Sequence, residues 1–157
     1  MVVLSLFALI TTLGVVQFSF LDSIIVHAEI DKLAAVCSYL QQKAIATNQE
    51  CVLQFDTEKN EYHSDTTVHE KLSQSICFGF LSPVLGPPGS PSYAIEKSVS
   101  FPGCAIHFYP TGVISAGTVY LINKKKQMMY ALSNAVSQVS LLRLYRYDDK
   151  TWKLLEA

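Results

Sequence analysis

Residues 1–21 read MVVLSLFALITTLGVVQFSFL, and none of them carries a charged side chain. Fifteen of these residues are apolar, and the first charge in the chain is Asp22. At about 1.5 Å of rise per residue, a helix of this length measures roughly 30 Å, which is the thickness of the hydrocarbon core of a bilayer. The run therefore predicts a segment that meets lipid, with the rest of the chain held at a membrane.

Two other interpretations of this run compete with a membrane helix. A cleaved signal peptide begins with Lys or Arg and ends at a small-residue cleavage site, and the run has neither feature. A buried core helix shows a polar stripe, whereas the polar residues of the run are scattered. We therefore favour a membrane helix that continues into the domain that follows.

The stretch after Asp22 favours this continuation because neither Pro nor Gly interrupts it. Apolar residues recur at steps of four and three, which is the spacing of one helix face. They are Val26, Ile30, Leu33, Cys37, Leu40 and Ala44. We expect the helix to end near Thr47–Asn48. The sequence thus divides into a membrane half of the helix (1–21), an amphipathic half (22–48) and a domain (49–157).

Beyond the helix the pattern changes to short alternating runs, which are typical of β-strands. Strands are predicted at 51–56, 61–64, 75–81, 95–101, 105–109, 118–122, 128–132, 138–147 and 152–155. The stretch SPVLGPPGSPS at 82–92 is too rich in Pro and Gly for a regular element and is predicted to be a loop. The predicted fold class is α+β, with a long N-terminal helix and an antiparallel β-sandwich-like domain. The amphipathic half of the helix would cover one face of a sheet.

Groups that could perform chemistry are few. The four cysteines form no C-x-x-C motif, and an even number permits two disulfides, while buried free thiols are an equal alternative. His63, Asp65, His69 and Glu70 cluster in the sequence, but their spacing matches no standard metal motif, and we expect a solvated loop there. No nucleophile motif or phosphate-binding loop is present. We therefore predict no enzyme, no cofactor and no metal site.

Charge is unevenly distributed along the chain. The net charge is −1, yet residues 1–123 hold five basic and ten acidic residues, and residues 124–157 hold seven basic and three acidic ones. A basic end suits an acidic partner or nucleic acid, although a solvated face is the more common meaning. Lys124, Lys125 and Lys126 follow a predicted strand and are expected to form a hairpin tip.

Three stretches resemble the GspH/FimT family of minor pseudopilins, which belong to the bacterial type II secretion system and related pili. The run VVLSLFALITT resembles the part of a pilin helix that follows its conserved start. Residues 107–121, HFYPTGVISAGTVYL, resemble the family's F-x-P-x-G segment, and residues 143–148, RLYRYD, resemble its closing strand. The matching positions, which shape the fold in this interpretation, are Phe108, Pro110, Gly112, Gly117, Leu121, Tyr145, Asp148 and Trp152. Pro110 and Gly112 predict a tight turn, because Pro fixes φ and Gly accepts a positive φ.

The resemblance implies a structural subunit of a type II secretion pseudopilus, acting in protein secretion. It implies a single-pass protein of the bacterial inner membrane, with its C-terminal domain in the periplasm. Its partners would be other pseudopilins, contacted through the N-terminal helix, together with the inner membrane and a secreted protein substrate. No cofactor is implied.

The alternative is a FimT-like protein that binds DNA in natural transformation. Its candidate DNA contacts are Arg143, Arg146, Lys150 and Lys153. Residues three apart on a regular strand face opposite sides, so the two arginines would not share a patch. The slightly acidic net charge also disfavours nucleic acid as a partner. A third interpretation is an unrelated membrane-anchored β-domain without a role in a pilus.

The chain departs from the family pattern at its start. A pilin precursor carries a short basic leader, a Gly at the cleavage point and a Glu five residues into the mature protein, and none of these is present. We expect that the natural start lies upstream of Met1 or that the sequence is truncated. An upstream reading frame encoding a basic leader would test this expectation.

Overall fold

A computed structural model describes the backbone of residues 2–64, 68–88, 93–136, 141–148 and 150–155, with side chains from Ser23 onward. The helix α1 (Val2–Thr47) comes first, and its 46 residues correspond to a length of about 70 Å. Nine strands follow within the described ranges. They are β1 (Cys51–Asp56), β2 (Glu61–Ser64), β3 (Val68–Lys71), β4 (Ile76–Phe78), β5 (Ala105–Phe108), β6 (Gly117–Asn123), β7 (Met129–Asn134), β8 (Arg143–Asp148) and β9 (Thr151–Leu155).

These strands form two antiparallel sheets. The four-stranded sheet has the order β3-β2-β1-β5, and the five-stranded sheet has the order β4-β6-β7-β8-β9. Every neighbouring pair within the two sheets is antiparallel. One helix followed by two antiparallel sheets confirms the predicted α+β class.

The main core lies between α1 and the inner faces of both sheets. The four-stranded sheet contributes Leu53 and Phe108, and the five-stranded sheet contributes Leu121 and Leu132, all of them fully buried. Alternation along each strand sends these apolar side chains to the face that meets the helix. The helix thus joins two sheets into one body.

The outer face of the five-stranded sheet is buried as well. A second apolar cluster there includes Tyr120, Met129 and Tyr145. The side chains that cover it come mainly from the segment between β4 and a 3-10 turn (Pro102–Cys104), namely Phe80, Leu81, Val84 and Ile95. Part of the predicted loop 82–92 therefore packs on the sheet, and we call the covering segment, residues 80–95, the lid. Residues 89–92 of the predicted loop lie outside the described ranges.

Two strand predictions differ from the structure. Residues 95–101 do not form a strand, because only a single bridge joins Val99 to Val119 before Pro102 starts a 3-10 turn. The strand β3 was not predicted, because Val68–Lys71 is a polar run on an exposed sheet edge and buries no alternating apolar face. Hydrophobic periodicity detects only strands that bury one face.

Candidate assembly surface

The predicted helix stripe is buried in the structure. Each of its six members exposes 1% or less of its surface, and they are Val26, Ile30, Leu33, Cys37, Leu40 and Ala44. They pack in the same core cluster as side chains of both sheets. Burial raises the pKa of the Cys37 thiol well above its ordinary value, so this cysteine stays protonated and acts as a small apolar side chain.

The opposite side of α1 is exposed, and much of it is apolar too. A helix turns by 100° per residue, so residues spaced alternately four and seven positions apart lie on the same side of it. We call these five residues the outer strip: Ile24, Ala28, Ala35, Tyr39 and Ala46. Ile24 and Tyr39 expose 49% and 50% of their surface. The outer strip was missed in the sequence, although the same spacing argument that found the buried stripe could have found it.

Polar contacts fix the rotation of α1, and therefore decide which side of it faces outward. Lys32 Nζ lies 2.6 Å from Glu70 Oε2 of β3. Glu29 Oε1 accepts hydrogen bonds from the backbone N–H and the hydroxyl of Ser73. These contacts hold the helix from the side, next to its buried stripe.

A third contact holds the helix near its C-terminal end. Gln41 Nε2 donates to the carbonyl oxygen of Gly112 at 2.8 Å. Gly112 closes the predicted turn: its N–H donates to the Tyr109 carbonyl at 2.8 Å, and its φ is 81°. The tight turn at Pro110 and Gly112 is thereby confirmed, and it serves as a docking point for α1.

Two polar side-chain atoms are buried where α1 packs on the four-stranded sheet. The Tyr62 hydroxyl and Glu29 Oε2 are buried and have no hydrogen-bond partner among the described residues. Burial raises the pKa of Tyr62, and the negative charges of Glu70 and Glu29 raise it further. Tyr62 therefore remains a neutral phenol that fills the core beside the helix.

The other family-motif residues act in packing. Phe108 and Leu121 are fully buried. Gly117 lies so close to Phe101 that a Cβ atom would meet the ring at 2.5 Å and the Phe101 Cα at 2.8 Å. Only a residue without a side chain fits there.

The hairpin formed by β8 and β9 binds the lid to the five-stranded sheet. Trp152 Nε1 donates to the Leu85 carbonyl at 2.8 Å, and its ring lies 5.1 Å from that of Tyr147. Tyr145 is buried, and its hydroxyl lies 3.4 Å from the Pro88 carbonyl. Asp148 Oδ2 pairs with Lys153 Nζ at 2.9 Å, across the β8–β9 turn. These residues therefore join the end of the chain to the segment that covers the five-stranded sheet.

The candidate DNA contacts do not gather on one surface. The β7–β8 register is regular, with Arg143 opposite Ser133 and Arg146 opposite Tyr130. The two arginines therefore lie on opposite faces of the sheet. Lys153 lies opposite Arg146 and is bound to Asp148, and Lys150 occupies the β8–β9 turn with a φ of 64°.

Three residues of the predicted acid–histidine cluster lie on β-strands. His63 lies on β2, in agreement with the strand predicted at 61–64, whereas His69 and Glu70 lie on β3, so the expected solvated loop is wrong at these two positions. Asp65 lies outside the described residues. In the part of the chain that the structure describes, no three His, Cys, Asp or Glu side chains converge as a metal site.

The thiols and one cleft beside β6 complete the description of reactive groups and cavities. All four cysteines are free thiols; Cys37 is buried and Cys104 is exposed. A cleft of about 350 Å³ opens beside β6, with Tyr93, Lys97 and Tyr120 among its lining residues. Glu96 and Ser100 also line it, and the Ser100 hydroxyl forms hydrogen bonds with the backbone of Thr118.

From Ser23 onward, within the described ranges, no helix is long and apolar enough to cross a membrane. The side chains of the predicted membrane half, residues 1–21, lie outside this part of the chain.

Comparison with known proteins rests on the fold. No protein-family model matches the sequence. No curated protein matches it either. Among solved structures, the chain is similar to the minor pseudopilin EpsH from the type 2 secretion system of Vibrio cholerae, with a TM-score of 0.53 and 13% sequence identity. The match covers 76% of this chain and 94% of that one. The chain therefore has a pseudopilin-like fold.

Proposed function

We propose that the chain is a minor pseudopilin of the GspH type, a structural subunit of a type II secretion pseudopilus that acts in protein secretion. The observation that carries this proposal is the two-sided helix. One side is buried beneath both sheets, and the outer strip on the other side is apolar and exposed. Exposed apolar side chains repeated along one side of a helix are typical of a contact with a partner, and here Asp31 and Gln42 lie beside them. The pseudopilin-like fold supports the same role.

The role is mechanical in this proposal, with subunits added by packing and without bond chemistry. Ala28 and Ala35 are small and exposed, so a second helix can approach the backbone of α1 closely. Ile24 and Tyr39 flank them and supply apolar area. Other pilin-like subunits are therefore the proposed partners of the outer strip, and the β-domain is left to contact further subunits or the secreted protein.

We infer an inner-membrane location for the unassembled subunit, with the β-domain in the periplasm. The support is the run of residues 1–21, which carries no charge and belongs to the same helix as the buried stripe. Membrane fractionation followed by protease treatment of spheroplasts tests this location. Digestion of the β-domain from the periplasmic side is expected, and a protein that alkaline carbonate releases from the membrane would contradict the inference.

Substitution in the outer strip tests the assembly role. Ala35→Glu places a charge in the middle of the strip without touching the core, so we expect loss of co-purification with other pilin-like subunits by about tenfold or more. The full chain, expressed in cells that carry a type II secretion system, is the material for this test. The unfolding temperature should stay within a few degrees of that of the unchanged chain, because an exposed substitution alters stability little.

Ala135→Glu is the matched control, because Ala135 is also an exposed alanine and lies on the β-domain after β7. It should leave co-purification unchanged. If Ala35→Glu associates as well as Ala135→Glu does, the outer strip is not the assembly surface. If the unchanged chain itself brings down no pilin-like subunit, an unrelated membrane-anchored β-domain becomes the better interpretation.

A further inference from the structure

Two histidines face one another across neighbouring strands at an exposed sheet edge. The β2–β3 register places His63 directly opposite His69. Their ring centroids are 6.3 Å apart, and both side chains are exposed. Side chains of directly opposed residues project from the same face of a sheet. The two imidazoles are therefore neighbours on the same solvent-exposed face of the β2–β3 pair.

The hydrogen-bond pattern of the hairpin brings these side chains closer still. The Leu72 N–H donates to the Asn60 carbonyl at 2.9 Å, which makes these two residues a hydrogen-bonded pair in the β2–β3 register. Hydrogen-bonded and non-hydrogen-bonded pairs alternate along antiparallel strands. His63 and His69 are three residues along from that pair, so they form a non-hydrogen-bonded pair, the type in which side chains lie nearer.

We propose that His63 and His69 together bind a divalent first-row transition ion of the class that prefers imidazole, such as Cu²⁺, Ni²⁺ or Zn²⁺. With metal–nitrogen bonds of about 2.0 Å, two imidazoles on one tetrahedral ion have ring centroids about 5 Å apart. The observed 6.3 Å exceeds this by roughly 1 Å, and rotation of two exposed side chains closes such a gap without moving the backbone.

The surroundings favour a cation. Glu61 lies on the same face as His63, and its Oε2 is 3.7 Å from His69 Nε2. Lys71 Nζ donates a hydrogen bond to the other carboxylate oxygen, Glu61 Oε1, at 2.8 Å. Lys71 balances part of the charge of this carboxylate, and Glu70 faces the other way, toward Lys32 of α1. The two imidazoles are therefore the ligands, and Glu61 adds negative charge beside them.

Two protein ligands leave the remaining coordination positions to water or to a donor from another molecule. No third His, Cys, Asp or Glu among the described residues closes the site. The site therefore differs from a structural zinc site, which uses four protein ligands, because it leaves coordination positions open. Affinity should follow the general order for such ligands, with Cu²⁺ bound more tightly than Ni²⁺ or Zn²⁺.

Calorimetric titration of the full chain with Cu²⁺, Ni²⁺ and Zn²⁺ chlorides tests the site. The protein is purified without a polyhistidine tag and kept in mild detergent. We expect one ion per chain, release by a chelator, and affinity at least about tenfold weaker in both His63→Gln and His69→Gln. NMR signals of these two imidazoles should shift or broaden on titration, while those of His27 should not.

His107→Gln is the control, because His107 also lies on the four-stranded sheet but is bound to Glu50, 2.6 Å away. It should keep the affinity of the unchanged chain. Circular dichroism of each variant checks the fold, and both tested side chains are exposed. Equal weakening by His107→Gln, unchanged binding in His63→Gln, or absence of binding to all three ions would overturn the proposal.

Discussion

Gln41 of the helix donates a hydrogen bond to the carbonyl oxygen of Gly112, 71 residues later in the chain, at 2.8 Å. The acceptor belongs to the tight turn that follows β5, and the donor lies one residue beyond the buried Leu40. The contact therefore fixes the C-terminal half of α1 against the end of the four-stranded sheet. It also links one of the motif turns to the orientation of the outer strip.

Removal of this contact should lower stability without changing the fold. Gln41→Ala takes away one partly buried hydrogen bond, for which the expected loss in the free energy of unfolding is about 1 kcal/mol. Urea unfolding followed by circular dichroism measures it. Gln42→Ala, one residue further on the exposed side, is the control and should cost less than about 0.5 kcal/mol. Equal effects of the two substitutions would show that the Gly112 contact contributes nothing.

Gly117→Ala should destabilise the β-domain through overcrowding. The added methyl group would lie 2.5 Å from the Phe101 ring and 2.8 Å from the Phe101 backbone, so the segment must shift, at an expected cost of about 1–3 kcal/mol. Gly79→Ala is the comparison, because its methyl group would meet only the end of the flexible Ile122 side chain within 3 Å. Thermal unfolding should rank Gly117→Ala as the more damaging change, and the reverse order would contradict the packing argument.

The four thiols should react at very different rates. Cys104 is exposed and should be alkylated first by iodoacetamide, whereas Cys37 is buried, and burial raises its pKa, so it should react only after unfolding. Mass spectrometry of proteolytic peptides after timed labelling locates each modified cysteine. Cys104→Ser should remove the fast phase. Rapid labelling of Cys37 in the folded chain would mean that α1 does not stay packed on the sheets.

DNA binding through the two arginines is not expected. Arg143 and Arg146 lie on opposite faces of the five-stranded sheet, and Lys153 is engaged with Asp148. An electrophoretic shift assay on the full chain at about 150 mM salt should show no complex, since phosphate binding depends on a concentrated basic surface. A complex that disappears in the Arg143→Ala, Arg146→Ala double variant, and persists in Lys59→Ala, would revive the FimT-like alternative.

The sequence predicted most strongly those elements that bury one side. The six-residue helix stripe, the strands at 51–56 and 61–64, and the turn at Pro110 and Gly112 all agree with the structure. In each case the signal is local, because the spacing of apolar residues or the φ preference of a single residue decides it. The pseudopilin-like fold was predicted from the resemblance of three stretches to the pseudopilin family, together with the order of helix and strands.

Other elements depend on distant partners and carry a weak local signal. The strand β3 is polar and forms because it pairs with the edge of β2. Residues 95–101 do not form a strand, because a turn follows at Pro102. The segment after β4 covers the outer face of the five-stranded sheet through apolar residues that show no period. The pairing of His63 with His69 depends on the β2–β3 register.

The sequence by itself determined that a long helix with one apolar stripe precedes a set of short strands. The reason is that the spacing of apolar residues can be read from residues that are neighbours in the chain. Only the tertiary structure decided which side of that helix faces outward and which side chains meet across strands. Contacts such as Lys32 with Glu70 and Gln41 with Gly112 join residues far apart in the chain. The reason is physical, since burial and register arise from packing between elements, and no single stretch of sequence contains that information.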